Sequence, residues 1–134
     1  MDIDIPFKIE FLTIKTNNFN EKKKLIKKEL KKYPEKRFEN FYSNRDNNKI
    51  SGALLKIFQE EFNQISKYYG RLLNFYGAWS ASYNKGDYHI AHNHGSIGHC
   101  GILYLDMHKK SPATCYLQPW NNDKDRSVIY EPEA

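Results

Sequence analysis

Trp79-Ser80-Ala81-Ser82-Tyr83-Asn84-Lys85-Gly86-Asp87-Tyr88-His89-Ile90-Ala91-His92-Asn93-His94-Gly95 is the stretch on which the fold turns. It carries no helical period. A turn signal, Asn84-Lys85-Gly86, divides it, and it closes on two histidines one residue apart. In an extended segment residues i and i+2 point to the same side. Tyr88, Ile90, His92 and His94 then share one face, with Asp87, His89 and Ala91 on the other. The first set reads as a pocket wall, with an apolar floor and a polar end.

Downstream the same texture continues. Short apolar and aromatic runs near 72–83, 87–92, 99–106, 113–118 and 127–131 are expected strands. Breaks fall at 84–86, at His94-Gly95-Ser96, at Lys109-Lys110-Ser111-Pro112 and at Asn121-Asn122-Asp123. Strands at roughly ten-residue spacing predict an antiparallel sandwich or barrel. Upstream the pattern is helical. Residues 7–15 read as one strand with Ile9, Phe11 and Ile14 inward. A helix capped by Asn18 or Asn20 follows, with Leu25, Ile26, Leu30 and Tyr33 as its apolar stripe and Pro34 as its stop. Residues 34–50 read as a polar connection. A second helix over about 52–69 places Leu54, Leu55, Phe58, Phe62, Ile65 and Tyr69 on one face, and Gly70 is placed to end it in a left-handed conformation. The expected fold is α+β: one domain over 1–134, with a strand-plus-helical support region over 1–70 and a jelly-roll-like core over 71–134.

The 134 residues, 40% hydrophobic and 15% aromatic, suffice to bury a core and argue against disorder. No apolar run approaches the ~20 residues of a membrane span, and the start, Met1-Asp2-Ile3-Asp4-Ile5-Pro6, does not resemble a signal peptide. No membrane partner is expected. Two cysteines, Cys100 and Cys115, make no disulfide framework and fit a reducing, cytoplasmic setting as buried apolar thiols. The net charge of +5 is local: Glu21–Arg37 holds nine basic residues against three acids, a net of +6, and the rest nets −1. A run of this kind reads first as the solvated face of a helix and second as a phosphate-binding surface, so nucleic acid is a weaker partner expectation. No aromatic residue interleaves with the lysines before Tyr33, which argues against a base-stacking platform.

Four of five histidines lie within eleven residues: His89, His92, His94 and His99. Paired imidazoles at i, i+2 are often plain surface residues. Here the pair follows a Gly-Asp turn in the β-rich half and precedes a Gly-containing link to another apolar strand, which favours metal binding. Imidazole suits Fe(II), Zn, Cu, Ni and Mn alike. His99 on a returning strand is a weaker third candidate, and a Cys100/Cys115 zinc site a weaker one still, for want of short Cys spacing.

The stretch 79–95, with Gly101-Ile102-Leu103-Tyr104-Leu105-Asp106, resembles the Fe(II)/2-oxoglutarate-dependent oxygenases, nearest a phage and bacterial His-x-His group related to the prolyl 4-hydroxylases. The likeness spans most of the chain, and residues 79–106 are its specific part. It implies a double-stranded β-helix (jelly roll) with two N-terminal packing helices, Fe(II) and 2-oxoglutarate as cofactors, and hydroxylation of a small-molecule or peptidyl substrate. It implies a cytoplasmic protein, in the host cytoplasm if phage-encoded. His92 matches the first iron ligand. His94 stands where the family usually has a carboxylate, a departure that alters the charge of the triad. Tyr83 and Tyr104 match 2-oxoglutarate contacts, although each reads equally as core packing. Trp79, Tyr88 and Ile102 are candidate pocket walls.

Family members continue beyond a segment like Ile129–Ala134 into strands bearing a distal His and an Arg that pairs the cosubstrate carboxylate. No His follows His108. The expectation is an incomplete jelly roll, whether a truncated or split product, one completed by a partner, or a catalytically inactive relative. An open sheet edge then invites homodimerisation. Two other readings stand beside the oxygenase. Gly86 followed by His92-Asn93-His94 fits half of a cupin motif, which lacks its Glu at Gly98 or His99. A metal-free β-sandwich interaction module is the third.

Overall fold

The computed structural model describes residues 11–45, 48–90, 92, 94, 98–111, 114–117 and 127–130. The described protein is mixed α/β. Its chain divides into two compact units, Met1–Asp87 and Tyr88–Ala134.

The first unit holds three helices and a three-stranded antiparallel sheet. Helix α1 (Phe19–Leu30) starts after Asn18, which sits at φ 54° and makes no side-chain cap. Of the expected stripe, Ile26 is buried at 1% exposure and Leu30 and Tyr33 are half-buried, while Leu25 is 53% exposed. A 3₁₀ turn (Asn48–Ile50) leads into α2 (Ser51–Ile57) and α3 (Gln59–Tyr68). These occupy the single helix expected over 52–69. Phe58 divides them at φ −108°, although its N–H still reaches the Leu54 carbonyl at 3.0 Å. The bend seats the Phe58 ring in the core at 3% exposure. Phe62 meets Phe75 edge to face at 5.2 Å. Gly70 ends α3 at φ 64°, as its position predicts. The Gly70 N–H bonds Lys67 O and the Arg71 N–H bonds Ser66 O, the paired bonds of a Schellman cap.

The polar connection expected over 34–50 instead contains a hairpin. Strand β1 (Lys36–Phe38) pairs with β2 (Phe41–Ser43), and β2 with β3 (Ala81–Ser82). A two-residue loop joins β1 to β2 with Glu39 at φ 50°, the positive φ that short hairpins require. Glycine signals such loops in sequence, and here the residue is Glu. Phe41 is the centre of this sheet, 2% exposed between Phe38 and Tyr83 at ring distances of 5.5 and 5.3 Å.

Side chains hold the irregular segment 71–80 in place. Asn44 donates to Tyr33 O at 3.0 Å and accepts from Ser80 N at 2.8 Å, while Ser43 Oγ donates to Ser80 O at 2.9 Å. The Asn48 amide donates to Tyr76 O at 3.3 Å and accepts from Ala78 N at 2.9 Å. These bonds deliver β3 to the edge of β2. Between helices, Lys22 reaches Glu61 at 2.9 Å and Glu60 at 3.0 Å. The Lys22 side chain is only 13% exposed, so this lysine is not part of a solvated face.

Two further expectations differ. Residues 11–16 are irregular rather than strand, with Phe11 and Leu12 both exposed. Adjacent apolar residues break the alternation that a half-buried strand needs. Residues 7–10 of that expected strand lie outside the described residues. Cys100 is an exposed free thiol rather than a buried one.

In the second unit β4 (Thr114–Leu117) pairs antiparallel with β5 (Ser127–Tyr130), Thr114 opposite Tyr130 and Leu117 opposite Ser127. Both match expected strands. The described residues of 87–92 and 99–106 are not in strands.

Candidate functional site

Asp87 anchors the residue just before the histidine segment. The Asn84-Lys85-Gly86 turn forms as expected, with the Asp87 N–H on Asn84 O at 3.0 Å and Gly86 at φ 88°. The Asp87 carboxylate accepts the Asn84 N–H at 2.8 Å through one oxygen and the Arg37 guanidinium at 2.9 Å through the other. These partners, the Asn84 N–H first and Arg37 after it, hold the carboxyl below its ordinary range. The sequence pattern assigns Asp87 no role, because its partner Arg37 is fifty residues away on β1.

Five and seven residues on, two imidazoles approach each other. His92 and His94 are outside regular strands, yet their Nε2 atoms lie 3.2 Å apart. His92 Nδ1 lies 3.0 Å from Ile90 O. A carbonyl only accepts, so Nδ1 is the donor in this contact, and the other ring nitrogen, Nε2, is the one that faces His94. A backbone carbonyl on the remote nitrogen is the usual support for a metal-binding imidazole. Two nitrogens each about 2.0–2.1 Å from one ion would sit roughly 2.9 Å apart at a right angle and about 3.4 Å apart at the tetrahedral angle. The observed separation falls between these limits, so the donor set fits a shared cation. Without one, the same distance suits a hydrogen bond between the two Nε2 atoms, one ring donating and the other accepting. Both rings are exposed.

His89 is the neighbour that parity misplaced. Its ring stacks on His92 at 4.2 Å with 29° between planes. Alternation puts 89 and 92 on opposite faces, and only a segment departing from strand geometry brings them together. The spacing 89, 92, 94 was the available signal. Among the described residues no group of three His, Cys, Asp or Glu side chains is arranged to hold a metal ion.

The two tyrosines have separate surroundings. Tyr83, in the first unit, stacks on Phe41, and burial first and the Glu35 charge second push its hydroxyl above its ordinary value. Tyr104, in the second unit, is half-buried and shares a hydrogen bond with Thr114 Oγ1. Trp79, Tyr88 and Ile102, the expected pocket walls, are all exposed. A cavity of about 450 Å³ lies elsewhere, between α2, α3 and Leu72-Leu73. No helix among the described residues is long and apolar enough to cross a membrane.

No protein-family model, curated protein or solved structure matches the chain.

Proposed function

We propose that the chain is a metal-binding protein of the Fe(II)- and 2-oxoglutarate-dependent oxygenase type, built on a double-stranded β-helix, with His92 and His94 as iron ligands. The observation that carries this reading is the 3.2 Å approach of two Nε2 atoms, one of them turned outward by the Ile90 carbonyl. Bound iron with 2-oxoglutarate would supply dioxygen activation for attack on an unactivated C–H bond. The chain's own residues bind and orient. His92 and His94 contribute two neutral nitrogen donors, and the stack on His89 limits rotation of the His92 ring. Tyr83 has its hydroxyl held protonated by burial and by Glu35, which keeps it a donor toward a carboxylate through the neutral range. Tyr104 contributes a second hydroxyl in the same role, oriented by Thr114. The resemblance also implies a third ligand and an arginine that pairs the cosubstrate carboxylate.

Anaerobic titration with Fe(II), with and without 2-oxoglutarate, tests the reading. The expected result is stoichiometric metal uptake and a weak visible charge-transfer band that needs both additions. His92→Ala should abolish uptake and leave far-UV circular dichroism unchanged. Uptake indifferent to 2-oxoglutarate would favour a cupin-like site. No uptake by the wild type would leave the imidazole pair as a hydrogen bond in a metal-free module.

A further inference from the structure

The basic run of the sequence acquires a direction once α1 is in place. At 100° per residue, Lys24, Lys28 and Lys31 fall within about 60° of arc, on the side opposite Ile26. All three are exposed. Lys27 shares this face. The acids nearest in space are engaged elsewhere: Glu29 holds Lys32 at 2.8 Å, and Glu60 and Glu61 hold Lys22 on the packed side. Glu21 stands one turn before Lys24. Among the described residues no ion pair involves Lys24, Lys28 or Lys31. The strip is therefore a row of positive charge about 10 Å long, backed by a helix whose apolar side is already occupied by Ile26 and the α2 contact.

We propose that this outward face of α1 docks the phosphate backbone of nucleic acid without reading its sequence. Three observations favour that partner. The strip is made of lysine, a point charge suited to phosphate, with none of the bidentate geometry of arginine. It contains no aromatic residue, whereas protein partners rely on Trp, Tyr or Arg anchors. Its opposite side is packed, so α1 has no apolar stripe left to lay into a lipid surface. Linear charge without anchors matches counterion release from a polyanion, which needs charges in a row and nothing else. The inference is independent of the histidine pair.

The test is fluorescence anisotropy of labelled single-stranded and duplex oligonucleotides against the full chain over a salt series. Three phosphate contacts predict a log–log salt slope of about −2.7 on duplex and about −2.1 on single strands, a loss of about forty-fold and twenty-fold between 50 and 200 mM salt. The lower Kd at matched salt concentration identifies the preferred form. Replacing Lys24, Lys28 and Lys31 together by Gln should remove that slope. The charge-matched replacement of Lys56, Lys67 and Lys85 by Gln should retain it. Should the triple variant not fold, Lys28→Glu alone should lower the slope by at least one contact. Equal losses in the two triple variants would show net charge rather than the strip at work and overturn the proposal. So would salt-independent binding, or equal or tighter binding to polyglutamate or to phosphatidylserine vesicles.

Discussion

Replacing Phe41 by Ala removes the ring on which the first unit's sheet is centred. The side chain is 2% exposed and meets two other rings, Phe38 at 5.5 Å and Tyr83 at 5.3 Å. Lost transfer energy plus the residual cavity gives about 3–5 kcal/mol for a buried Phe→Ala change. A domain of ordinary stability holds about 5–15 kcal/mol, so the variant should be near its folding limit. At an m-value of about 2 kcal/mol/M the urea midpoint should fall by roughly 2 M. Phe41→Leu keeps most of the volume and should cost about 1–3 kcal/mol, the worth of two ring contacts. A double-mutant cycle with Tyr83→Leu isolates one of them, with an expected coupling of about 0.5–1.5 kcal/mol. The assay is urea denaturation followed by helical circular dichroism. A cost below about 1 kcal/mol for Phe41→Ala, or strict additivity in the cycle, would refute the placement of this ring at the centre of the packing.

Further outcomes can be checked alongside. Gly70→Ala meets no atom within 4 Å and pays only for φ 64°, so it should destabilise by about 1–2 kcal/mol with no change in packing. Gly77→Ala would bring a Cβ within 2.5 Å of the Asn48 amide. Displacing that amide breaks its bonds to Tyr76 and Ala78, at about 0.5–1.5 kcal/mol each in denaturation. Asp87 titrates lower in the folded chain than in the unfolded one. Its contribution is therefore present above the ordinary carboxyl value near about 4 and is lost as pH falls through the lower folded value. Asp87→Asn should flatten the acid limb of the stability profile. His94→Asp should strengthen Fe(II) retention in equilibrium dialysis if the proposed site takes a carboxylate at position 94, and weaker retention would show the imidazole to be the better donor.

What the sequence made legible is set by range. Signals carried by a few neighbouring residues came through: the apolar faces of 51–68, the left-handed Gly70, the turn at 84–86, and the strands at 114–117 and 127–130. The hairpin at 36–43 did not. Its turn uses Glu39 where glycine would announce it, and its strands are three residues each. It is stabilised by distant partners: Asn44 on Tyr33 and Ser80, and Arg37 on Asp87. The i, i+2 spacing of His92 and His94 predicts one face of a strand, whereas their Nε2 atoms approach each other in a segment outside regular strands. The stack of His89 on His92 was not legible, because period-two alternation assigns opposite faces and the backbone at 89–90 and 92 is irregular.

Asn48 behaves as a fragment of strand supplied by a side chain. Its amide offers the backbone on either side of Gly77 one donor and one acceptor, as a neighbouring peptide group would. Chain-length changes should therefore be unequally tolerated along this connection. An extra residue near Arg71 can bulge into solvent, whereas one between Tyr76 and Ser80 shifts the phase of every bond that follows and carries β3 out of register with β2.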